Sequence, residues 1–369
     1  MDPQDRTMGF ASRRITMSEL KKCVGCGAML QMQDPEAAGY IVKEGQTLCR
    51  RCYRLKHYGD TAVLKVSKAD SDEVLSRVAK MDVLVVYVLD LCDVENGLLP
   101  GLHRHLMNKD VMLVATKRDL LPDTLGNDKL LQFLRSRLRE EGIEVKGVVV
   151  VGDHAKNSTG MIKDMIHVLR KGKDVAVVGM ANAGKSTLLN ALMPSANLTV
   201  SPYPHTTLDF NPIAWEGITV YDTPGIKVED SLWEQLDPES IKLLGLKSAY
   251  KPRSFQLTSS QSFVLGGLAS VTFMGVKEAT ATFYVSDNLN IHRTKAENLS
   301  EYLEKHFDEL TPKVLVEPRL TKKFTSRFQP YKTDVVFGQI GWVCIQGSYE
   351  RIDVNVPQTV DVHFRKAMI

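Results

Sequence analysis

Apolar and polar positions follow different rhythms in different stretches of the chain. Residues 1–62 show little periodicity and are rich in Cys, Gly and basic side chains. From about 63 to 225 the pattern changes. Continuous apolar runs at 83–89, 111–115, 145–151 and 175–178 predict strands buried on both faces. Between them, "SKADSDEVLSRVAK" (67–80) and "NDKLLQFLRSRLREEG" (127–142) space their apolar residues as amphipathic helices do, with Ser/Asp and Asn/Asp near their starts as candidate caps. "TLDFNPIAWEGITVYDTPG" (207–225) reads as two strands around a turn at Glu216-Gly217. Strands alternating with helices imply a doubly wound α/β domain.

Beyond 226, "DPESIKLLGL" (237–246) predicts a helix with Pro238 in its first turn. From about 252, short alternating stretches such as "TATFYVSD", "RIDVNVP" and "TVDVHF" predict a mostly β domain, interrupted by a helix over 295–310. The expected organisation is multidomain: an N-terminal module (1–62), the α/β domain (63–226), a helical connector (227–251) and the mostly β domain (252–369). A length of 369 residues suits two or three domains. Hydrophobic content of 43% with 25% charged residues excludes a disordered or fibrous chain. The longest apolar run, "VLVVYVL" (83–89), falls far short of the roughly 20 residues a membrane span needs. The N-terminus carries no apolar core of the signal-peptide kind, so a cytoplasmic protein is expected. A net charge of +3 assigns no partner, and local patches must carry any nucleic-acid argument.

The candidate chemistry starts with "GMANAGKST" (179–187). Gly179, Gly184, Lys185 and Ser186 fit GxxxxGK[ST], between the strand "DVAVV" and the helix "STLLNALM". In that context backbone amides through Asn182, Ala183, Gly184 and Thr187 can surround a phosphate at a helix N-terminus. Lys185 would reach the β- and γ-phosphates and Ser186 would ligate Mg²⁺. "DTPG" (222–225) ends a hydrophobic strand, so Asp222 fits the water-mediated Mg²⁺ carboxylate and the Gly225 amide fits a γ-phosphate sensor. "PHTTLD" (204–209) lies where a GTPase carries its first switch. One of Thr206 and Thr207 would close over Mg²⁺, and the sequence does not choose between them.

"TKRD" (116–119) follows the strand "VMLVA", at the strand end where α/β sheets bind ligands. Asp119 can accept both the N1–H and the 2-amino protons of guanine, whereas adenine offers an acceptor at N1. Lys117 would lie over the base with its alkyl stem. Thr116 stands where Asn is usual, and its shorter side chain predicts modest nucleotide affinity. "DHAKNSTG" (153–160) supplies His154 and Ala155 as a weaker base-contacting loop. Base motif, base loop, phosphate loop, first switch and second switch thus occur in a circularly permuted order, which a closed sheet tolerates because domain termini lie close together.

Permuted order combined with "CVGC" (23–26) and "CRRC" (49–52) closely resembles the YqeH GTPases of bacteria, which are related to organellar proteins of the nitric-oxide-associated type. The resemblance spans essentially the whole chain. It implies a P-loop GTPase that turns GTP into GDP and phosphate and acts in assembly of the small (30S) ribosomal subunit, with ribosomal RNA as partner. No membrane role and no obligate protein partner follow from it. It also places Asn182 where potassium-stimulated GTPases hold K⁺. Ile226 falls where many GTPases carry the water-orienting glutamine, so slow intrinsic hydrolysis is expected, raised by K⁺, RNA or ribosomal particles. Lys185, Asn182, Thr206, Thr207 and Gly225 are the expected catalytic set.

The two CxxC pairs, Cys23, Cys26, Cys49 and Cys52, fit one tetrahedral structural Zn²⁺ with no open position. Arg50, Arg51, Arg54 and Lys56, interleaved with Tyr53, His57 and Tyr58, form a candidate RNA face. "RLTKKFTSRFQPYK" (319–332) offers a second, through Lys322, Lys323 and Arg327. Two other function classes compete with the GTPase reading. A P-loop ATPase or small-molecule kinase is disfavoured by Asp119. The other is a zinc-bearing RNA-binding module whose nucleotide site is structural or very slow; the intact Lys185, Ser186 and Asp222 argue against such decay.

Overall fold

The computed structural model describes residues 22–58, 71–98, 102–152, 156–194, 198, 209–226, 232–246 and 248–369. The N-terminal module closes on its four cysteines and continues into α1 (Arg50–Tyr58). The α/β domain follows with α2 (Ser71–Lys80), β1 (Val83–Asp90), α3 (Val94–Gly97), α4 (Leu102–Leu106), β2 (Val111–Thr116), α5 (Asn127–Glu140), β3 (Gly147–Val150), α6 (Lys156–Leu169), β4 (Asp174–Gly179), α7 (Lys185–Leu192), β5 (Asn211–Trp215) and β6 (Ile218–Asp222).

These strands form one sheet in the order β3-β2-β1-β4-β6-β5, parallel except for the β5–β6 hairpin. The continuous apolar runs are the central strands: every residue of β2, and all but the last of β1, is buried. The phosphate-loop strand β4 is fourth in the chain yet central in the sheet, with β1 on one side and β6 on the other. Helices cover the sheet through spaced apolar faces. On α5, Leu130, Leu134 and Leu138 recur every fourth residue and are all buried, each stabilising by about 1.5–3 kcal/mol relative to exposure. The expected Asn/Asp cap of this helix is not made: Gly126 holds the N-cap position, and no side chain caps it. Left-handed φ at Glu216 (47°) and Gly217 (81°) closes the hairpin where the turn was expected.

The connector carries α8 (Pro238–Leu244). Asp237 caps it by accepting from the Glu239 and Ser240 amides, both at 2.9 Å. Two five-stranded antiparallel sheets follow. One has the order β16-β13-β14-β10-β7 and the other β11-β8-β9-β15-β12. Their strands are β7 (Arg253–Leu257), β8 (Gln261–Leu265), β9 (Ala269–Met274), β10 (Glu278–Val285), β11 (Ile291–Lys295), β12 (Lys322–Arg327), β13 (Thr333–Phe337), β14 (Gly341–Ser348), β15 (Arg351–Val356) and β16 (Val362–Lys366). Their inner faces meet at Phe263 and Phe283, ring centroids 5.0 Å apart. The single helix expected over 295–310 is instead α9 (Leu299–His306) between two 3₁₀ turns. Phe307 turns inward there to pack with Val264 and Leu310, which ends the regular helix.

This β domain docks on the α/β domain through buried charge. Arg365 of β16 donates from Nη1 to Glu95 Oε1 (2.8 Å), and Arg137 of α5 donates to Glu95 Oε2 (2.7 Å). Arg365 Nε also reaches Asp334 of β13 at 3.3 Å. Burial works against the Glu95 charge, but the two guanidiniums hold its carboxyl below the usual range.

Candidate GTP-binding site

The phosphate loop is shaped by two left-handed residues, Asn182 (φ 63°) and Gly184 (φ 94°), which turn its amides inward before α7 begins. Gly179 lies so close to β1 that a Cβ there would sit 2.3 Å from the Val88 carbonyl oxygen. Lys185 is 7% exposed, and its Nζ donates to the Gly179 and Met180 carbonyls, both at 2.9 Å. Burial lowers its pKa to about 8, with Asp222 pulling the other way. A desolvated lysine at the mouth of an amide-lined loop suits a phosphate dianion.

The second-switch motif closes over this loop. β6 delivers Asp222, fully buried, and Thr223 Oγ1 donates to Val177 O at 2.9 Å. Ala181 N donates to Ile226 O (2.9 Å) and Ile226 N to Gly179 O (3.1 Å), so the two motifs are bonded to each other. Gly225 sits at their closest approach, where a Cβ would meet Ala181 Cα at 2.8 Å. Ile226 is fully buried. Its side chain is apolar and turned into the core, so it cannot orient a water.

The base motif reaches the same place from β2. Thr116 Oγ1 donates to Ala183 O of the phosphate loop at 2.7 Å and lies 3.2 Å from Leu89 O. Although shorter than the usual asparagine, Thr116 thus ties the base motif to the phosphate loop through its hydroxyl. Lys117 adopts a left-handed φ of 62° and pairs with Asp90. Burial disfavours the Lys117 charge, but the Asp90 carboxylate overcomes this and raises its pKa. Asp119 stands exposed on the 3₁₀ turn Arg118–Leu120. A Cβ on Gly152 would come 3.2 Å from Asp119 Oδ1, so that glycine leaves the aspartate its room. Arg118 fixes the turn by donating to Asn127 Oδ1 (3.1 Å) and to the Leu125 carbonyl. His154 and Ala155, and the switch threonines Thr206 and Thr207, lie outside the described residues.

Phosphate loop, second switch and base motif share one cleft of about 420 Å³, lined by Asn182, Gly184, Lys185, Ser186, Thr187 and Gly225, with Lys117 and Leu120 at its base end. Ser186 and Asp222 are the residues that could hold Mg²⁺, whose chemistry when bound is to neutralise charge on the β- and γ-phosphates. Sequence reasoning missed part of the wall. Asp90 ends β1 and Asp93 follows it, Trp233, Leu246 and Tyr250 come from the connector, and Gln339 comes from the β domain. Burial, and secondarily Asp90, raises the Asp93 pKa to about 7. Asp90 was legible as the polar residue ending an apolar strand; Gln339 carried no such signal.

In the N-terminal module the four Sγ atoms of Cys23, Cys26, Cys49 and Cys52 all lie within 4.8 Å of one another and are buried. The Cys49 amide donates to Cys23 Sγ at 3.2 Å, and α1 begins at the next residue, placing Cys52 on its first turn. Hydrogen bonds from the other thiols hold Cys23 well below the thiol range, whereas bonding to Cys23 pushes Cys26 and Cys52 up. One divalent cation taking four thiolates removes that conflict, and an all-sulfur tetrahedral set suits Zn²⁺.

Of the candidate RNA residues, Arg50 is exposed and Arg54 half-buried, while the Lys56 side chain lies outside the described residues. Arg51 corrects the expectation: at 5% exposure it is buried and presents no charge to a polyanion. On β12 the alternation puts Lys323 and Arg327 on an exposed face. Lys322 points the other way and pairs with Asp361 at 2.6 Å. Among the described residues no helix is long and apolar enough to cross a membrane.

Comparison with known proteins agrees with this geometry. A family model described as RsgA GTPase matches residues 78–231, from β1 through the second switch in the chain order seen here. One described as 50S ribosome-binding GTPase matches 174–317, starting at the phosphate-loop strand, and one described as YqeH-like, C-terminal matches 278–368. The protein YqeH of Bacillus subtilis (strain 168) is 33% identical over 94% of this chain and 99% of its own length. The chain belongs to the YqeH family of GTPases. More distant members include the NO-associated protein 1, chloroplastic/mitochondrial, of Arabidopsis thaliana, 25% identical over 97% of this chain and 78% of its own. Nitric oxide-associated protein 1 of Mus musculus is 23% identical over 88% and 71%. The architecture is thus that of a YqeH-type protein: a four-cysteine module, a permuted GTPase domain that takes GTP or GDP with Mg²⁺, and a β domain.

Proposed function

We propose that the chain is a GTP-hydrolysing switch acting in assembly of the small ribosomal subunit, with ribosomal RNA as its target. The supporting observation is the convergence on one cleft of the buried Lys185, Gly225 of the second switch and Lys117 of a base motif that is bonded to the phosphate loop. In this reading Lys185 and the loop amides from Gly179 to Thr187 hold the phosphates, and Asp119 reads guanine. Ser186, Asp222 through water, and Thr206 or Thr207 complete Mg²⁺, and the Gly225 amide senses the γ-phosphate. His154 and Ala155 flank the base. The parts divide as 1–62 for structural zinc, 63–226 for GTP, 227–251 as connector and 252–369 for RNA. Both Arg50 and Arg54, with Lys56, and Lys323 with Arg327, are the RNA-facing cations, Lys322 being partly neutralised. The bacterial relative favours a cytoplasmic setting, where the four thiols stay reduced for metal.

Buried Ile226 supports slow intrinsic turnover, because the position where many GTPases carry a water-orienting glutamine here offers no amide. That leaves K⁺ at Asn182, or an RNA-borne group, to complete the site. The same observation favours the second reading, an RNA-binding module with a very slow nucleotide site. Hydrolysis of GTP in KCl and in NaCl, with added 30S or 50S particles, separates the two. The switch reading expects stimulation by K⁺ and by 30S particles, and loss of the K⁺ effect in Asn182→Ala. Turnover that no ion and no particle raises would favour the RNA module, and stimulation by 50S particles alone would overturn the small-subunit assignment.

A further inference from the structure

The four-cysteine module does not sit apart from the GTPase sheet. Lys22, next to the first cysteine, donates from Nζ to Asp209 Oδ2 (2.9 Å) and to Phe210 O (3.0 Å). The Asp209 amide donates to Cys26 O at 3.3 Å, and Asn211 Nδ2 to Val24 O at 3.3 Å. From the other side Arg77 of α2 donates to Asp209 Oδ1 (3.0 Å) while its guanidinium lies 4.0 Å above the Phe210 ring. Gly27, at φ 77°, allows the approach: a Cβ there would stand 2.5 Å from Asp209 O. Phe210 and Asn211 are buried under the module.

The gripped residues have a particular place in the fold. Asn211 opens β5, and in the ladder it pairs directly with Asp222, the buried carboxylate at the end of β6. Asp209 is also the last residue of "PHTTLD", so the chain leaves the first-switch motif into the grip. We propose that the four-cysteine module anchors the β5 edge of the GTPase domain through Asp209, which acts as a positioning residue for the Mg²⁺-side carboxylate and for the exit of the first switch. Folding of the metal module is thereby coupled to recognition of GTP·Mg²⁺, while GDP, held by the phosphate loop and the base motif, depends on it little. The inference rests on the proposed roles of Asp222 and the switch threonines.

The test compares full-length protein with Asp209→Asn and Lys22→Ala, measuring zinc content, fluorescent GDP and GTP-analogue affinity, and the Mg²⁺ concentration for half-maximal GTP hydrolysis. Asp209→Asn leaves the module's own residues untouched and carries the test if Lys22→Ala loses metal. The expected result is a full zinc complement, near-parental GDP affinity, and a Mg²⁺ requirement raised about fivefold to tenfold, the scale of a modest coupling between sites. Lys22→Arg restores the parental value. An unchanged Mg²⁺ requirement and unchanged GTP-analogue affinity in Asp209→Asn would overturn the anchor. The double variant Thr206→Ala/Thr207→Ala identifies which idea has failed. If it raises the Mg²⁺ requirement and Asp209→Asn does not, the anchor alone is wrong; if neither does, the switch assignment is wrong as well.

Discussion

Lys185 is held in two conflicting environments, a desolvated position that disfavours its charge and a loop built for an anion that needs it. In the nucleotide-free protein its pKa of about 8 lies below the ordinary 10.5, so below pH 8 the folded state carries a penalty of about 3 kcal/mol. The unfolded chain binds more protons between pH 8 and 10.5, so the stability contributed by this group rises across that window. Phosphate binding restores the charge, and the sign for affinity is therefore opposite. GDP affinity is predicted to fall as pH rises from 7.5 to 9.5, with proton uptake on binding. Titration calorimetry in buffers of different ionisation enthalpy measures that uptake, and none at pH 9 would contradict the account. The Lys185 assignment was legible because a glycine-rich loop between strand and helix fixes which atoms meet a phosphate. At Arg51 sequence reasoning failed for a physical reason: next to Cys52 on the first turn of α1, its side chain is buried, and composition gives no direction. Thr116 shows the converse, since its hydroxyl at the end of β2 reaches Ala183 O of the phosphate loop at 2.7 Å.

Strands and helices were legible to the degree that burial imposes a period. β1, β2 and β4 are central parallel strands and read as unbroken apolar runs, and α5 reads as a face of leucines. The helix over 295–310 was only half legible, because helical spacing persists through Phe307 although that residue turns to pack beneath α9. On β12 the strict alternation decides which cations face outward: Lys323 and Arg327 are exposed, whereas Lys322 turns the other way and pairs with Asp361. If that face contacts RNA, Lys323→Ala/Arg327→Ala should weaken RNA binding at every sequence tested. It should also reduce the slope of log K against log salt by about 1.5, as two lost phosphate contacts require. GTP hydrolysis without RNA should be unchanged. An unaltered salt slope would move the RNA surface elsewhere.

For the whole molecule, the permutation has a structural consequence: the nucleotide cleft is walled on one side by the connector and by Gln339 of the β domain. Glu95 and Arg365, 270 residues apart in sequence, lock that β domain beside the cleft. No pattern in one sequence pairs such distant charges, which is why the three-part organisation could be anticipated while its mutual docking could not. The N-terminal module grips the chain at Asp209, just before the edge strand β5. The central claim is that a base motif upstream in the chain serves the nucleotide held by a phosphate loop downstream. The most direct test is Asp119→Asn with GTP and xanthosine triphosphate as competing substrates. The carboxylate accepts from guanine N1–H and the 2-amino group, whereas an asparagine amide can donate to the 2-oxygen of xanthine. The account predicts a reversal of preference from GTP to the xanthine nucleotide, with hydrolysis retained. A variant that still selects GTP would show that Asp119 does not read the base, and that the two motifs do not form one site.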